Sequence, residues 1–214
     1  MRTTPRLIET IRIRGGKAPL WHLHLRRMSE SARDLGVPIP PEMEVPTGTG
    51  DRVRRLEIGV DGVTSGDRPV GRTDPVQLIT VKTPFVPYPH KTVERAQFDR
   101  ATMEVSAVGA DDALFLSGQG FLCEATVWSV FWWERDRVGA PDFSLGVLHS
   151  VSRLRIEELM GPVVPKRAVL AEVLLNGLFL ANAARGVVPV ASVDGRKVTP
   201  ARRTEELARR FWPA

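Results

Sequence analysis

A glutamate within an apolar segment is the residue whose setting most favours a chemical role. Glu124 stands in the segment LCEATVW, where its neighbours are mostly apolar or small. A buried carboxylate costs free energy unless a cation or a hydrogen-bond donor lies beside it. The position therefore predicts a partnered, functional acid. The alternative is that Glu124 faces solvent on an edge strand.

Lysine is the second residue type of interest, because an amine can bond covalently to a carbonyl group. The chain has 30 lysines and arginines, and only five of these are lysines. One of them, Lys91, directly follows PFVPYPH, which has three prolines in seven residues. Such a segment is typical of a stiff linker. The alternative role for Lys91 is that of a solvent-exposed lysine after that linker.

Several other familiar site motifs do not match. His22 and His24 are two residues apart, and side chains at that spacing on a helix do not share a face, so no metal site is predicted. The glycines of GTGD and GQG match neither a phosphate-binding loop nor a dinucleotide fingerprint. Cys123 lies in an apolar segment and predicts an inert buried thiol. No serine stands in a G-x-S-x-G sequence.

Hydrophobic periodicity predicts an α/β chain around these residues. The alternation in LIETIRI predicts a strand over residues 7–13. Apolar residues at helical spacing predict a helix over 22–35, which ends before Gly36 and Pro38. Asp61-Gly62 predicts a hairpin between two strands. Further helices are predicted over 92–108, 150–160, 166–176 and 202–211.

The composition predicts a soluble, cytoplasmic protein. Hydrophobic residues make up 43% of the chain and charged residues 26%, as is common in globular domains. No apolar run reaches the roughly 20 residues of a membrane span. The segment MRTTPRLIETIRIR lacks the apolar region of a secretory signal, and a single cysteine cannot form an internal disulfide.

The net charge of +5 narrows the partners. Basic residues are interleaved with acidic ones, whereas nucleic-acid binders usually concentrate them on one element. We therefore predict no nucleic-acid partner and no membrane partner. The charge fits either a solvated, arginine-rich surface or a small anionic substrate.

Four separated segments follow one another in an order that covers nearly the whole chain. LIETIRI and HLRRMSESARDLG are similar to an F-E-T strand and an H-L-x-R-L-x-x-S-A helix, and HKTVERAQFDRA is similar to a K-x-x-N-R stretch. GFLCEATVWSVFW is similar to G-x-v-x-E-x-x-x-x-N-x-F, and GVLHSVSRLRIEEL with FLANAARGVVPVASVDG completes the set. Together they resemble the class IV (fold-type IV) family of pyridoxal-phosphate enzymes. That family contains branched-chain and D-amino acid aminotransferases and 4-amino-4-deoxychorismate lyases.

The resemblance implies pyridoxal 5'-phosphate as the cofactor and assigns roles to individual residues. Lys91 matches the lysine that forms a Schiff base with the cofactor and then acts as acid and base. Glu124 matches the carboxylate that keeps the ring nitrogen protonated. Arg27 matches an arginine that binds the phosphate. The remaining cofactor-binding residues implied are Val151 and Ser152, at a helix N-terminus, and Asn182 and Ala183, in a loop.

The resemblance also implies an α/β (α+β) fold with two lobes. The expected parts are an N-terminal α/β domain over residues 1–84, a linker over 85–90 and a C-terminal, β-barrel-like pyridoxal-phosphate domain with helices over 91–214. A homodimer is implied as well, because the cofactor cleft in this family lies near a subunit interface.

Two reactions fit this cofactor and a small anionic amino substrate. The segment ANAARGVVPV resembles the lyase version of its motif, and Ala96 stands where many aminotransferases have a tyrosine. Thr10 matches a threonine near the lyase active site, which implies a catalytic role. These matches favour a 4-amino-4-deoxychorismate lyase, which releases pyruvate and 4-aminobenzoate for folate biosynthesis. The alternative is a branched-chain or D-amino acid aminotransferase.

Some positions depart from the family. Ser129 and Glu94 stand where asparagines are common, and Trp128 is expected either to narrow the substrate pocket or to pack in the core. The family also has a further segment before its F-E-T strand, so we expect one wall of the pocket to differ. A degenerate member of the family without turnover is the alternative that these departures leave open.

Overall fold

Twelve strands and five α-helices form the part of the chain that the computed structural model describes, residues 4–213. The helices are α1 (Trp21–Leu35), α2 (Ala96–Val108), α3 (Val151–Met160), α4 (Leu170–Val173) and α5 (Arg202–Arg210). The strands are β1 (Leu7–Ile13), β2 (Arg52–Gly59), β3 (Gly62–Arg68), β4 (Val76–Thr80), β5 (Asp112–Leu116), β6 (Leu122–Ala125), β7 (Ser129–Glu134), β8 (Arg137–Pro141), β9 (Val164–Lys166), β10 (Phe179–Asn182), β11 (Gly186–Val193) and β12 (Arg196–Lys197). Within these residues, no helix is both long and apolar enough to cross a membrane.

A small antiparallel sheet forms the first layer, in the order β1-β2-β3. Its register pairs Leu7 with Ile58 in β2. The predicted hairpin connects β2 to β3, but its turn lies at Val60 and Asp61, because Gly62 already pairs with Gly59. Helix α1 covers this sheet and ends at Gly36, whose φ of 66° suits glycine. The apolar faces of α1, β1 and β2 form a shared core that includes Leu7, Ile11, Trp21, Met28, Leu56 and Ile58.

A larger sheet closes into a barrel. Six of its strands run in the order β10-β11-β4-β5-β6-β7, and β10 also pairs with β7. Strand β4 is parallel to both of its neighbours, and the other pairs are antiparallel. Alternate side chains from all six strands fill the interior, among them Leu78, Leu114, Leu122, Trp132, Leu180 and Val190. The predicted fold class, a small α/β part with a barrel-like part and helices, is confirmed.

The outer face of β7 and β10 is covered by helices. Phe131 and Phe179 stack there with ring centroids 5.5 Å apart. Ile156 of α3 and Leu207 of α5 pack against the same cluster. Helix α3 is thereby fixed with its N-terminus at the junction between barrel and small sheet.

The boundary between the two sheets differs from the predicted one. The small sheet ends at Arg68 and the barrel begins at Val76, whereas the sequence predicts a boundary at residue 84. The strand Val76–Thr80 belongs to the barrel because β11 and β5 supply its hydrogen bonds on both sides. Residues 85–90 contain no helix or strand, but Tyr88 among them is buried and its amide binds the carbonyl oxygen of Gly146 at 2.7 Å.

Two predicted helices are shorter than expected. The helix predicted over 92–108 begins at Ala96, because the preceding residues pair with the edge of β1. The amide of Ile8 binds the carbonyl oxygen of Lys91 at 2.8 Å, and the amide of Val93 binds that of Arg6 at 3.0 Å. The helix predicted over 166–176 covers only Leu170–Val173, because Lys166 lies in β9 and pairs with β8.

A buried ion pair fixes α1 on β1. Glu9 and Arg27 are only 2% and 5% exposed, and the guanidinium donates two hydrogen bonds to the carboxylate, one of them 3.0 Å long. His24 shares the same carboxylate through its Nδ1, 2.6 Å from Oε2. Although burial alone would raise it, the pKa of Glu9 falls to about 2 because Arg27 and His24 stabilise the carboxylate. His24, for which the sequence predicts no metal role, has Glu9 as its hydrogen-bond partner.

We predict that Glu9→Gln lowers the free energy of unfolding by about 3–5 kcal/mol at pH 7, because it leaves the buried Arg27 charge without its partner. Chemical denaturation measures this value. Glu30→Gln is the matched control, since its ion pair with Arg26 is exposed on the same helix and contributes at most about 1 kcal/mol. Equal losses in the two variants would contradict the prediction.

The same pair predicts a pH dependence. Because the pKa of folded Glu9 lies below its ordinary 4.5, the stabilisation is present above that pH and is lost as the pH falls toward 2. Acid denaturation curves of the wild type and Glu9→Gln should therefore converge at low pH.

Candidate active site

A cavity lies between the small sheet and the barrel, with an empty volume of about 910 Å³ including its open mouth. The walls come from β1, β2, β3, α1, the segment before α2, the β6–β7 turn, the start of α3 and the β10–β11 turn. All eight residues with sequence-predicted site roles line it: Thr10, Arg27, Lys91, Glu124, Val151, Ser152, Asn182 and Ala183.

Lys91 lies where the two sheets meet. Its backbone pairs with β1, which directs its side chain into the cavity. Burial and the positive charges of Arg95 and Arg27 together lower the pKa of its amine to about 7. Glu9 and Glu124 oppose this shift. A large share of Lys91 is therefore a neutral amine near pH 7. A neutral amine can act as a nucleophile or as a base.

Glu124 lies in β6 and is 5% exposed, so it does not face solvent on an edge strand. Its carboxyl accepts a hydrogen bond from the backbone amide of Leu148. Burial raises its pKa to about 8, against the opposing effects of that amide and of nearby cations such as Lys91. A protonated ring nitrogen beside this carboxyl would favour its charged form.

One end of the cavity is built to bind an anion. Val151 and Ser152 are the first residues of α3, and the first amides of a helix have no intrahelical acceptor. The side chain of Arg27 adds a guanidinium. The Ser152 hydroxyl lies 3.0 Å from the carbonyl oxygen of Ala181 and donates to it. Ser152 therefore offers its amide to an anion, while its hydroxyl holds α3 against β10.

The β10–β11 turn forms the adjoining wall. Asn182 Oδ1 accepts hydrogen bonds from the amides of Ala184 and Arg185 at 3.0 and 2.8 Å, and its Nδ2 donates to the carbonyl oxygen of Val127 at 3.1 Å. These bonds shape the turn that carries Ala183. The side chain of Asn182 thus acts through the loop conformation.

The departures from the family pattern have distinct positions. Ser129 lines the cavity, whereas Glu94 is exposed. Trp128, which the sequence places either in the core or at the substrate pocket, is buried in the barrel core and also lines the cavity. Thr10, on β1, lines the opposite wall formed by the small sheet.

Several charged residues of the site are not predicted from the sequence. Glu9 binds the guanidinium of Arg27. The sequence feature that indicates this residue is its position next to Thr10 in the F-E-T-like strand. Arg95 lies close enough to lower the pKa of Lys91, and its signal was the arginine of the K-x-x-N-R-like stretch. Arg55, Arg68 and Arg185 also line the cavity, and nothing in their local sequence distinguishes them from the many surface arginines.

The residues present fit pyridoxal phosphate. The lysine amine that faces the cavity would hold the aldehyde, and the buried Glu124 would hold the ring nitrogen. Arg27 with the first amides of α3 would hold the phosphate. The fit rests on the donor set: one amine of lowered pKa, one buried acid that needs a cationic partner, and one helix N-terminus beside a guanidinium.

Solved structures of low sequence identity share this fold. A putative branched-chain amino acid aminotransferase from Thermotoga maritima is 20% identical, with a TM-score of 0.82 over 97% of this chain and 84% of that one. A putative 4-amino-4-deoxychorismate lyase from Legionella pneumophila is 22% identical, with a TM-score of 0.78 over 95% and 89%. A branched-chain aminotransferase from Thermobaculum terrenum in its PLP form is 21% identical, with a TM-score of 0.77 over 98% and 84%.

At the level of sequence, no curated protein matches the chain significantly. A family model does match: the model described as "Amino-transferase class IV" covers residues 69–193, which is more than half of the chain. The matched range includes the barrel strands together with Lys91, Glu124 and the start of α3. The chain therefore belongs to the class IV aminotransferase family of pyridoxal-phosphate-dependent enzymes.

Proposed function

We propose that the protein is a 4-amino-4-deoxychorismate lyase, which eliminates pyruvate from its substrate and forms 4-aminobenzoate for folate biosynthesis. The observation that carries this proposal is the charge of the cavity wall. Five arginines and Lys91 line it, and Glu124 is the only acidic residue among its described lining residues. Such a wall favours a substrate with more than one negative charge.

Ion pairs inside the protein offset only part of this charge. Arg27 pairs with Glu9, and Arg55 with Glu57 at 2.8 Å. Arg95 instead donates to the carbonyl oxygen of Thr126 at 2.7 Å. The cofactor phosphate accounts for Arg27 and the α3 amides, so further cations remain for the substrate. The proposed lyase substrate has two carboxylates, whereas a branched-chain amino acid has one.

In the reaction, the amine-bearing ring carbon loses a proton and the C–O bond to the pyruvyl group breaks with its electrons on oxygen. The released enol takes up a proton to become pyruvate, and the ring becomes aromatic. When bound, pyridoxal phosphate supplies a ring that stabilises negative charge at the amine-bearing carbon. We assign the proton transfer at that carbon to Nζ of Lys91, whose pKa of about 7 suits both acceptance and return.

The other residues position the reacting groups. Glu9 and His24 keep Arg27 oriented toward the cavity. Asn182 shapes the wall opposite the small sheet. Thr10, at the cavity wall on β1, is assigned the role of orienting the substrate near Lys91.

The second candidate is an aminotransferase. Val127 and Trp128 give part of the cavity an apolar wall, which would suit a branched-chain side chain. The same lysine would then move a proton between two carbons, and the amino group would pass to an oxo acid.

The two candidates predict different products. We expect the holoenzyme to convert 4-amino-4-deoxychorismate to 4-aminobenzoate and equal amounts of pyruvate, measured by chromatography and a coupled assay. Lys91→Ala should lose at least about 1,000-fold in rate, since the acid–base group is removed. Lys82→Ala, which changes an exposed lysine, should keep the wild-type rate. Amino transfer to 2-oxoglutarate without pyruvate release would identify the aminotransferase, and no turnover of either kind would identify a degenerate member.

The pKa of Lys91 predicts a pH dependence of cofactor uptake. Only the neutral amine can bond to the aldehyde, so the rate of covalent attachment to unloaded protein should rise with pH up to about 7 and then level off. Borohydride trapping followed by peptide mass analysis measures this rate and identifies the modified lysine. A rate that keeps rising tenfold per pH unit to pH 10 would indicate an ordinary lysine, as would modification elsewhere in the chain.

The implied homodimer stays a prediction, which light scattering of the purified protein would test.

A further inference from the structure

Arg185 occupies an unusual position in the cavity wall. It lies in the turn after β10, and its guanidinium carbon is 4.0 Å from the centroid of the Trp128 ring. A Cβ atom added to Gly71 would lie 3.4 Å from Nη1 of Arg185, so the guanidinium also lies close to the backbone at Gly71. Stacking on an aromatic face holds a planar guanidinium in one orientation. Arg185 is therefore preorganised before any ligand binds.

No carboxylate within residues 4–213 forms an ion pair with Arg185. The carboxylate that attracts it is that of Asp112. That group instead accepts hydrogen bonds from the hydroxyl of Thr126 and from the amide of Ala113 at 2.7 Å. The donor edge of Arg185 is left for another acceptor.

A second cation lies nearby. Arg68, at the end of β3, lines the same cavity, and its described hydrogen bond is a long one of 3.5 Å to the carbonyl oxygen of Pro69. The charge of Arg68 and burial both lower the pKa of Arg185. Two guanidinium groups that repel each other on a cavity wall are stabilised by an anion that both can contact.

These cations are distinct from those around the reacting amine. Lys91 and Arg95 reach the cavity from the segment before α2 and Arg27 from α1, whereas Arg185 comes from the β10–β11 turn and Arg68 from the end of β3. The cavity thus has two groups of positive charge. In the first group Arg27 already pairs with Glu9 beside the proposed phosphate site, whereas no carboxylate within residues 4–213 forms an ion pair with either arginine of the second group.

We propose that Arg185 and Arg68 form a carboxylate-binding subsite for the end of the substrate that is remote from its amine. This inference rests on the proposed lyase reaction, in which the product 4-aminobenzoate carries its carboxylate opposite its amine. The guanidinium of Arg185 donates two parallel hydrogen bonds to the carboxylate, and Arg68 adds a second positive charge from the small sheet. The subsite selects rings with a para carboxylate and directs their amine toward Lys91.

Calorimetric titration of the holoenzyme with 4-aminobenzoate and with its uncharged analogue 4-aminobenzamide tests this subsite. We expect wild type to bind the acid about 10-fold or more tightly than the amide, as charge-assisted hydrogen bonds usually provide. Arg185→Gln and Arg68→Gln should reduce the affinity for the acid and leave that for the amide unchanged. Arg185→Lys should restore only part of the difference, because lysine lacks the planar fork. Arg100→Gln removes the same charge from an exposed position on α2 and should change neither affinity.

Equal binding of acid and amide by wild type would overturn the proposal, as would an unchanged difference in Arg185→Gln. The amide affinity reports whether each variant keeps its fold. The outcomes also separate this inference from the lyase assignment. An Arg185-dependent preference for the acid without pyruvate release rejects the lyase and retains the subsite. Pyruvate release with no such preference retains the lyase and rejects the subsite.

Discussion

The site depends on one short backbone pairing between β1 of the small sheet and the segment before α2. The carbonyl oxygen of Lys91 accepts a hydrogen bond from Ile8, and the amide of Val93 donates to Arg6. Buried backbone groups need such partners, so this segment must remain extended until α2 begins. The pairing places a lysine from the barrel side against a strand of the small sheet. Neither sheet alone would enclose its amine, and the lowered pKa is a consequence of that enclosure.

Two buried acids near this junction, Glu9 and Glu124, are stabilised by their partners to different degrees. Arg27 and His24 stabilise the carboxylate of Glu9, so its pKa falls to about 2 although the group is buried. Glu124 has only partial compensation, and its pKa lies near 8. The difference follows from their partners: Glu9 receives two hydrogen bonds from a guanidinium and one contact from His24, while Glu124 receives one amide. The fully paired acid stabilises the fold, and the incompletely paired acid remains available to a ligand.

The predicted secondary structure was correct where local signals were strong. Strand β1, helix α1 with its glycine end and the β2–β3 hairpin follow from periodicity and turn chemistry. The predicted start of α2 is four residues too early. The segment before the helix pairs with β1, for example through the hydrogen bond from Ile8 to Lys91, and these two residues are far apart in the sequence. Tertiary pairing of this kind overrides helix propensity. The position of β4 in the barrel has the same origin, since its neighbours are far away in sequence.

The ordered motifs determined the family and its cofactor, because the cofactor requires an amine, a ring acid and phosphate donors, and the family carries these groups in this order along the chain. The structure brings all eight predicted site residues to one cavity. Local sequence could not identify which of the many arginines face that cavity, because a guanidinium on the surface and one in a wall look alike in sequence. Only the tertiary structure placed Arg68 and Arg185 on the same cavity, where neither forms an ion pair with a carboxylate within residues 4–213. Substrate preference depends on such long-range placement, which is why the family could be assigned from motifs while the anion-binding wall required the fold.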